Sequence, residues 1–147
     1  MAAGSFFQRL KQGLSKSREN LLQNIGTIFQ NRHWDEQSLE TMVSEFQKRR
    51  DAIVEGLNAI EGFRCRKPEG AFYVFPNIAA LLGRIGLGKK LNTPCDLADY
   101  LLEEAKVAAV PGEDFGSQAH IRFSYATSLR DIDTGCARIR EAVRKLN

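Results

Sequence analysis

The sequence predicts an α+β fold, a two-layer α/β sandwich with the element order ααββαβα, in which helices cover a small sheet. Three observations predict it. Apolar residues recur at helical spacing near both ends of the chain. The run Ala71-Phe72-Tyr73-Val74-Phe75 is aromatic and β-rich and stops at Pro76. Downstream of it, helical and strand-like segments alternate, punctuated by proline, glycine and capping residues.

The elements follow in order. Residues 5–30 read as a helix, with Ser5 and Gln8 at capping-box spacing and Leu10, Leu14, Leu21, Ile25 and Ile28 on one stripe. Gly13 and Gly26 weaken it by about 1 kcal/mol each. Asn31 to Trp34 breaks the pattern, and Asp35 suits an N-cap. Residues 36–61 form a second helix whose buried face is Leu39, Met42, Val43, Phe46, Ile53, Val54, Leu57 and Ile60, with Gly62 as its stop. Residues 63–75 read as a β-hairpin or two closely joined strands, turning at Lys67-Pro68-Glu69-Gly70. Ala79 to Leu82 suggests a helical turn, and Gly83 to Lys90 an exposed basic loop. Thr93-Pro94-Cys95-Asp96 starts a helix running to about Ala105, with Leu97, Leu101 and Leu102 buried. Val107–Val110 and His120–Tyr125 are strands separated by a loop. Ser128 with Asp131 caps a last helix with the stripe Ile132, Cys136, Ile139, Val143 and Leu146.

Composition narrows the class. A chain of 147 residues fits one domain and buries roughly 70% of its unfolded surface without staples. No stretch approaches the ~20 apolar residues of a membrane span, and no signal-peptide core follows Phe6-Phe7. Three isolated cysteines, Cys65, Cys95 and Cys136, read as reduced thiols of a cytoplasmic protein, the last two as small core residues. A net charge of +3 is too balanced for a nucleic-acid partner. The charge is uneven, however: residues 1–34 carry Arg9, Lys11, Lys16, Arg18 and Arg32 against Glu19 alone.

Residues 42–146 carry a family resemblance. Phe46-Gln-Lys-Arg-Arg-Asp51, Lys67-Pro-Glu-Gly-Ala-Phe-Tyr73, Val107-Ala-Ala-Val-Pro-Gly112 and Ile121-Arg-Phe-Ser-Tyr-Ala126 occur in order. Together they resemble the C-terminal small domain of class I aminotransferases, the pyridoxal-phosphate enzymes related to aspartate aminotransferase. The resemblance implies that Arg122 binds the substrate α-carboxylate, as a planar guanidinium does through two parallel hydrogen bonds. It implies that Phe72 lies near the substrate, with core packing as the favoured alternative. The family's cofactor lysine and its acidic partner belong to a large domain that no segment here resembles. The resemblance therefore implies no catalytic residue, no bound cofactor and no metal, with Arg122 and Phe72 as vestigial substrate contacts. Gly13-Leu-Ser-Lys16 imitates the start of the cofactor-lysine signature, but Lys16 falls on the polar face of a helix.

Residues 5–40, from Ser5-Phe-Phe-Gln-Arg-Leu-Lys-Gln-Gly-Leu-Ser-Lys-Ser-Arg-Glu-Asn20 onward, resemble instead the first helices of the N domain of the bacterial signal recognition particle receptor, a GTPase. Gly83-Arg-Ile-Gly-Leu-Gly88-Lys89 has phosphate-loop spacing, but Lys90 stands where serine or threonine would hold magnesium. The expectation is therefore an engineered chimera joined near residues 35–42. It is a single domain in which a helical segment over 5–40 packs on 42–147, with no enzymatic activity. One alternative is an aminotransferase fragment with weak carboxylate binding at Arg122. Another is a basic-helix targeting module for a membrane or ribosome. No partner is certain, and exposed apolar surface allows a homodimer.

Overall fold

The computed structural model describes residues 36–147. The expected helix over 5–30, Lys16, the break at Asn31–Trp34 and the Asp35 cap lie outside the described residues. Two compact units divide the chain, Met1–Leu39 and Glu40–Asn147, and the second is described by itself.

Helix α1 spans Glu36–Asn58. Its C-terminal half is amphipathic, and Ile53 and Leu57 are buried as their spacing predicts. Leu39, Met42 and Val43 are exposed, against expectation, because α1 joins the core only from Phe46 onward. Asn58 closes the helix by clamping Cys65. Its amide nitrogen donates to the Cys65 carbonyl (2.9 Å), and its oxygen accepts from the Cys65 N–H (2.7 Å). Gly62 then turns the chain at φ +87°, the left-handed stop expected of it.

The hairpin expected over 63–75 does not form as such. Only Tyr73–Val74 is a strand, β1, and it pairs with a distant strand. Arg64 instead bridges Asn77 through two backbone bonds of 3.0 and 2.9 Å. Pro76 does not end the extended path, because its carbonyl still accepts from the Ile121 N–H (3.2 Å).

The expected basic loop at 83–90 is a small hairpin, β2 (Ile85–Gly86) against β3 (Lys89–Lys90). Its two-residue turn has Leu87 at φ +49° and Gly88 at φ +74°, the geometry of a type I′ turn. The backbone is committed to pairing, no helix follows directly, and Lys89 Nζ is bound to Asp96 (2.6 Å). The phosphate-loop likeness stops at spacing.

Helix α2 (Pro94–Tyr100) starts on the expected capping box, with Thr93 and Asp96 satisfying each other's backbone N–H groups. It continues as a wide π turn over Leu101–Ala105 and ends at Lys106 in the left-handed region. Leu97, Ala98, Leu101 and Ala105 are buried at helical spacing, while Leu102, at the edge of that face, is exposed.

The remaining elements are β4 (Val110–Pro111), β5 (Ile121–Ser124) and α3 (Leu129–Arg144). The strand expected at 107–110 is thus shorter and shifted. The sheet order is β1-β5-β4, antiparallel throughout, with Tyr73 opposite Ser124 and Val110 opposite Arg122. Ser128 caps α3 through the Asp131 N–H, and all five residues of its predicted stripe are buried.

The core lies between one face of the sheet and the helices. Val74, Ile121 and Phe123 meet Leu57, Leu97, Leu101, Ile139 and Val143 in one cluster. The Tyr100 hydroxyl donates to the Ala142 carbonyl (2.8 Å), tying α2 to α3. Cys65 and Cys136 are buried, and burial pushes the Cys65 thiol up to about 11. Cys95 is exposed, correcting its expected core position, because Pro94, Leu97 and Ala98 carry the buried face of α2. Among the described residues, no helix is long and apolar enough to cross a membrane.

Asp96 links the stability of this fold to pH. Its carboxylate is held first by Lys89, then by the Thr93 hydroxyl and the Asn92 and Thr93 N–H groups, and its pKa falls from 3.8 to about 2. The stabilisation is therefore complete above pH 3.8 and is lost as pH falls through about 2. Asp96→Asn is expected to flatten the fall in melting temperature over that window. Parallel melting curves for both proteins contradict this assignment.

Candidate functional site

The alternation of β5 builds the site. Ile121 and Phe123 point into the core, so Arg122 emerges on the opposite face, half-buried. His120 precedes it by two residues on the same face, and Asn77 pairs with His120 as β1 pairs with β5. On the neighbouring path, Val74 points inward, so Tyr73 and Phe75 share the outer face with Arg122.

Between β4 and β5 the chain makes a tight 3-10 turn, Gly112–Phe115. Gly112 is required there. A Cβ on it would lie 2.3 Å from the His120 carbonyl oxygen and 2.6 Å from that of Ser117. This close approach folds Phe115 back over β5.

The result is an aromatic wall around one cation. The Arg122 guanidinium carbon lies 4.5 Å from the Phe115 ring centroid and 5.2 Å from that of Tyr73. Phe115 meets Phe75 edge to face at 5.9 Å, and Phe75 stacks on His120 at 5.0 Å and 19°. His120 Nδ1 shares a 2.7 Å hydrogen bond with Ser117 Oγ. Among the described residues, no carboxylate pairs with Arg122. Rings on the faces of a guanidinium leave its in-plane N–H groups open to a planar anion. A concavity of about 460 Å³, lined by Arg66 to Ala71 with Tyr73 and Phe75, adjoins the wall.

A second concavity of about 390 Å³ lies between α1 and α3. Its floor is apolar, and its carboxylate, Asp131, is occupied by the Thr127 and Ser128 hydroxyls.

Of the two site residues read from sequence, the structure places Arg122 at the centre and Phe72 elsewhere. Phe72 is not core: it is 57% exposed, with its ring against Phe46 on α1 at 4.9 Å. It contributes through its backbone, its carbonyl accepting from the Tyr125 N–H and the Ser124 hydroxyl. Sequence reasoning missed Tyr73, Phe75, Phe115 and His120. The period-two alternation of residues 72–75 and 120–123 is the signal for three of them. Phe115 had no such signal, because a turn delivers it.

The aminotransferase class I and II family matches residues 9–139. The chain belongs to that family. Aspartate aminotransferase of Rhizobium meliloti is 46% identical over 110 residues, covering 74% of this chain and 27% of the relative. A probable aspartate/prephenate aminotransferase of Rickettsia felis is 46% identical over 98 residues, covering 66% of this chain and 24% of the relative. The crystal structure of the Rhizobium meliloti aspartate aminotransferase superposes with a TM-score of 0.74 at 45% identity, over 80% of this chain and 29% of that one. The chain thus spans about a quarter of the length of these curated relatives.

This match overturns the expected chimera. One family runs from residue 9 to residue 139, straight through the proposed join at 35–42. The reading as an engineered join of two unrelated fragments falls.

Family membership implies pyridoxal phosphate, and the described residues do not fit it. A Schiff-base lysine must reach the neutral form, which needs burial or a neighbouring cation. Lys48, Lys67, Lys89 and Lys145 each pair with a carboxylate, and the Asp96 and Glu104 partners raise Lys89 and Lys145. Lys106 donates to the Glu103 carbonyl, and Lys90 is exposed on β3. Lys16 lies outside the described residues.

Tyr125 holds the β1 end of the site. It is buried, and its hydroxyl donates to the Ala71 carbonyl (2.6 Å), where Ala71 sits at φ +67°. Tyr125→Phe is expected to lower the free energy of unfolding by about 1 kcal/mol, measured in urea. An unchanged midpoint contradicts a structural role for that bond.

Proposed function

We propose that Glu40–Asn147 serves as the substrate-carboxylate-binding portion of an aspartate-aminotransferase-type enzyme, with Arg122 as the carboxylate clamp. The observation that carries this reading is the Arg122 guanidinium, held between the Phe115 and Tyr73 rings with no carboxylate partner among the described residues. The likeness to aspartate aminotransferases supports the choice of an α-amino dicarboxylic acid as ligand.

In this reading the protein's own residues do three things. Arg122 binds and orients the carboxylate through two charge-assisted hydrogen bonds. Phe115 and Tyr73 lie against the guanidinium and reduce its contact with water, which strengthens its pairing. The neighbouring concavity of Arg66 to Ala71 accepts the rest of the ligand. No proton or bond-breaking step is assigned to residues 36–147.

The test is titration of the full chain with L-aspartate, followed calorimetrically. Arg122→Gln is expected to abolish saturable binding. Arg122→Lys keeps the charge but loses the fork, and a charge-assisted bond is worth about 1.5–3 kcal/mol, so binding is expected to weaken about 10- to 100-fold. Equal affinity in the parent and Arg122→Gln overturns the proposal.

A further inference from the structure

We propose that His120 is a positioning residue for Arg122, acting through a relay of rings rather than by contact. The inference rests on the carboxylate-clamp reading and adds what holds the clamp still.

The geometry is continuous. Ser117 Oγ fixes the His120 ring by its 2.7 Å bond to Nδ1. The backbone on either side of His120 is also fixed, with the Ala119 carbonyl accepting from Ile78 and the Ile121 N–H donating to Pro76. His120 lies nearly parallel to Phe75, with 5.0 Å between centroids. Phe75 presents its ring to Phe115 at 84°, and Phe115 faces the guanidinium at 4.5 Å. Phe115 needs this support. It is 49% exposed on a short turn, so its rotamer is not set by burial. Phe75 blocks one side of its swing, and His120 stops Phe75 from yielding. Gly112 completes the arrangement by letting the backbone at Ser117 and His120 close on the turn. An arginine whose guanidinium is already oriented loses less side-chain freedom when a carboxylate arrives.

The relay predicts that ring shape at position 120 matters more than its hydrogen bonding. His120→Phe retains a flat stacking partner and loses the Ser117 bond. His120→Ala loses both, and Phe75→Leu breaks the next link.

The experiment uses the full chain labelled with nitrogen-15. The Arg122 side-chain Nε–H signal is identified by its loss in Arg122→Gln, and its ring-current shift is read with the L-aspartate affinity in each variant. The shift is expected to shrink by about half or more in His120→Ala and Phe75→Leu, and to be kept in His120→Phe. Aspartate affinity is expected to fall about two- to fivefold in the first two, with no further effect of His120→Ala in an Arg122→Lys background. A parent-like Arg122 signal in both His120→Ala and Phe75→Leu overturns the relay, whatever binds. A signal that collapses in those variants while the parent protein fails to bind aspartate keeps the relay and overturns the clamp. His120→Phe behaving like His120→Ala also overturns it, since stacking would then be irrelevant.

Discussion

Strand β5 faces two environments at once, and the rest of the fold is arranged around that constraint. Ile121 and Phe123 are 0% and 4% exposed, while Arg122 between them stands on the opposite face. A slip of one residue would bury the guanidinium and expose both apolar side chains, so register is set by a large penalty. Both neighbours are tied to that register, β1 on one side and β4 on the other. The helices then cover only the apolar face, and the cation-bearing face is left for chemistry.

The site is framed by bonds that end on backbone carbonyls. The Ala71 and Phe72 carbonyls receive Tyr125 and Ser124, fixing the start of β1 against the end of β5. The Ser117 N–H returns to the Gly112 carbonyl, closing the turn that carries Phe115. Two of these bonds start from the Ser124 and Tyr125 hydroxyls, so the frame depends on those side chains, while the closure of the turn rests on backbone alone.

Legibility in the sequence followed the range of the physical signal. The stripe of α3 and the Thr93-Asp96 capping box are local patterns, and the structure reproduces both. The β2–β3 hairpin resembles a loop in sequence because its turn uses Leu87-Gly88 in place of the usual Asn-Gly. The π turn at Leu101–Ala105 leaves no mark in composition. The pairing of β1 with β5 spans some fifty residues, beyond any local pattern, and the aromatic wall depends on it. Arg122 stands out in the sequence by its motif, whereas the position of Phe72 against Phe46 depends on the distant path of α1. The supposed join failed for a different reason. A single apolar stripe at helical spacing carries few distinctive residues, so a local likeness over 5–40 weighs little against one family spanning 9–139.

The three thiols divide the molecule in a way that outlasts any question of substrate. Cys65 and Cys136 are sealed in the core, and only Cys95 meets solvent. Nor is Cys95 itself quick to ionise, since partial burial and the Asp99, Glu113 and Asp96 carboxylates raise its pKa. The folded protein therefore presents a single slow thiol to an alkylating reagent. Each opening of the core multiplies that target threefold. Modification of Cys65 and Cys136 is accordingly set by how often the core opens, whereas that of Cys95 needs no opening.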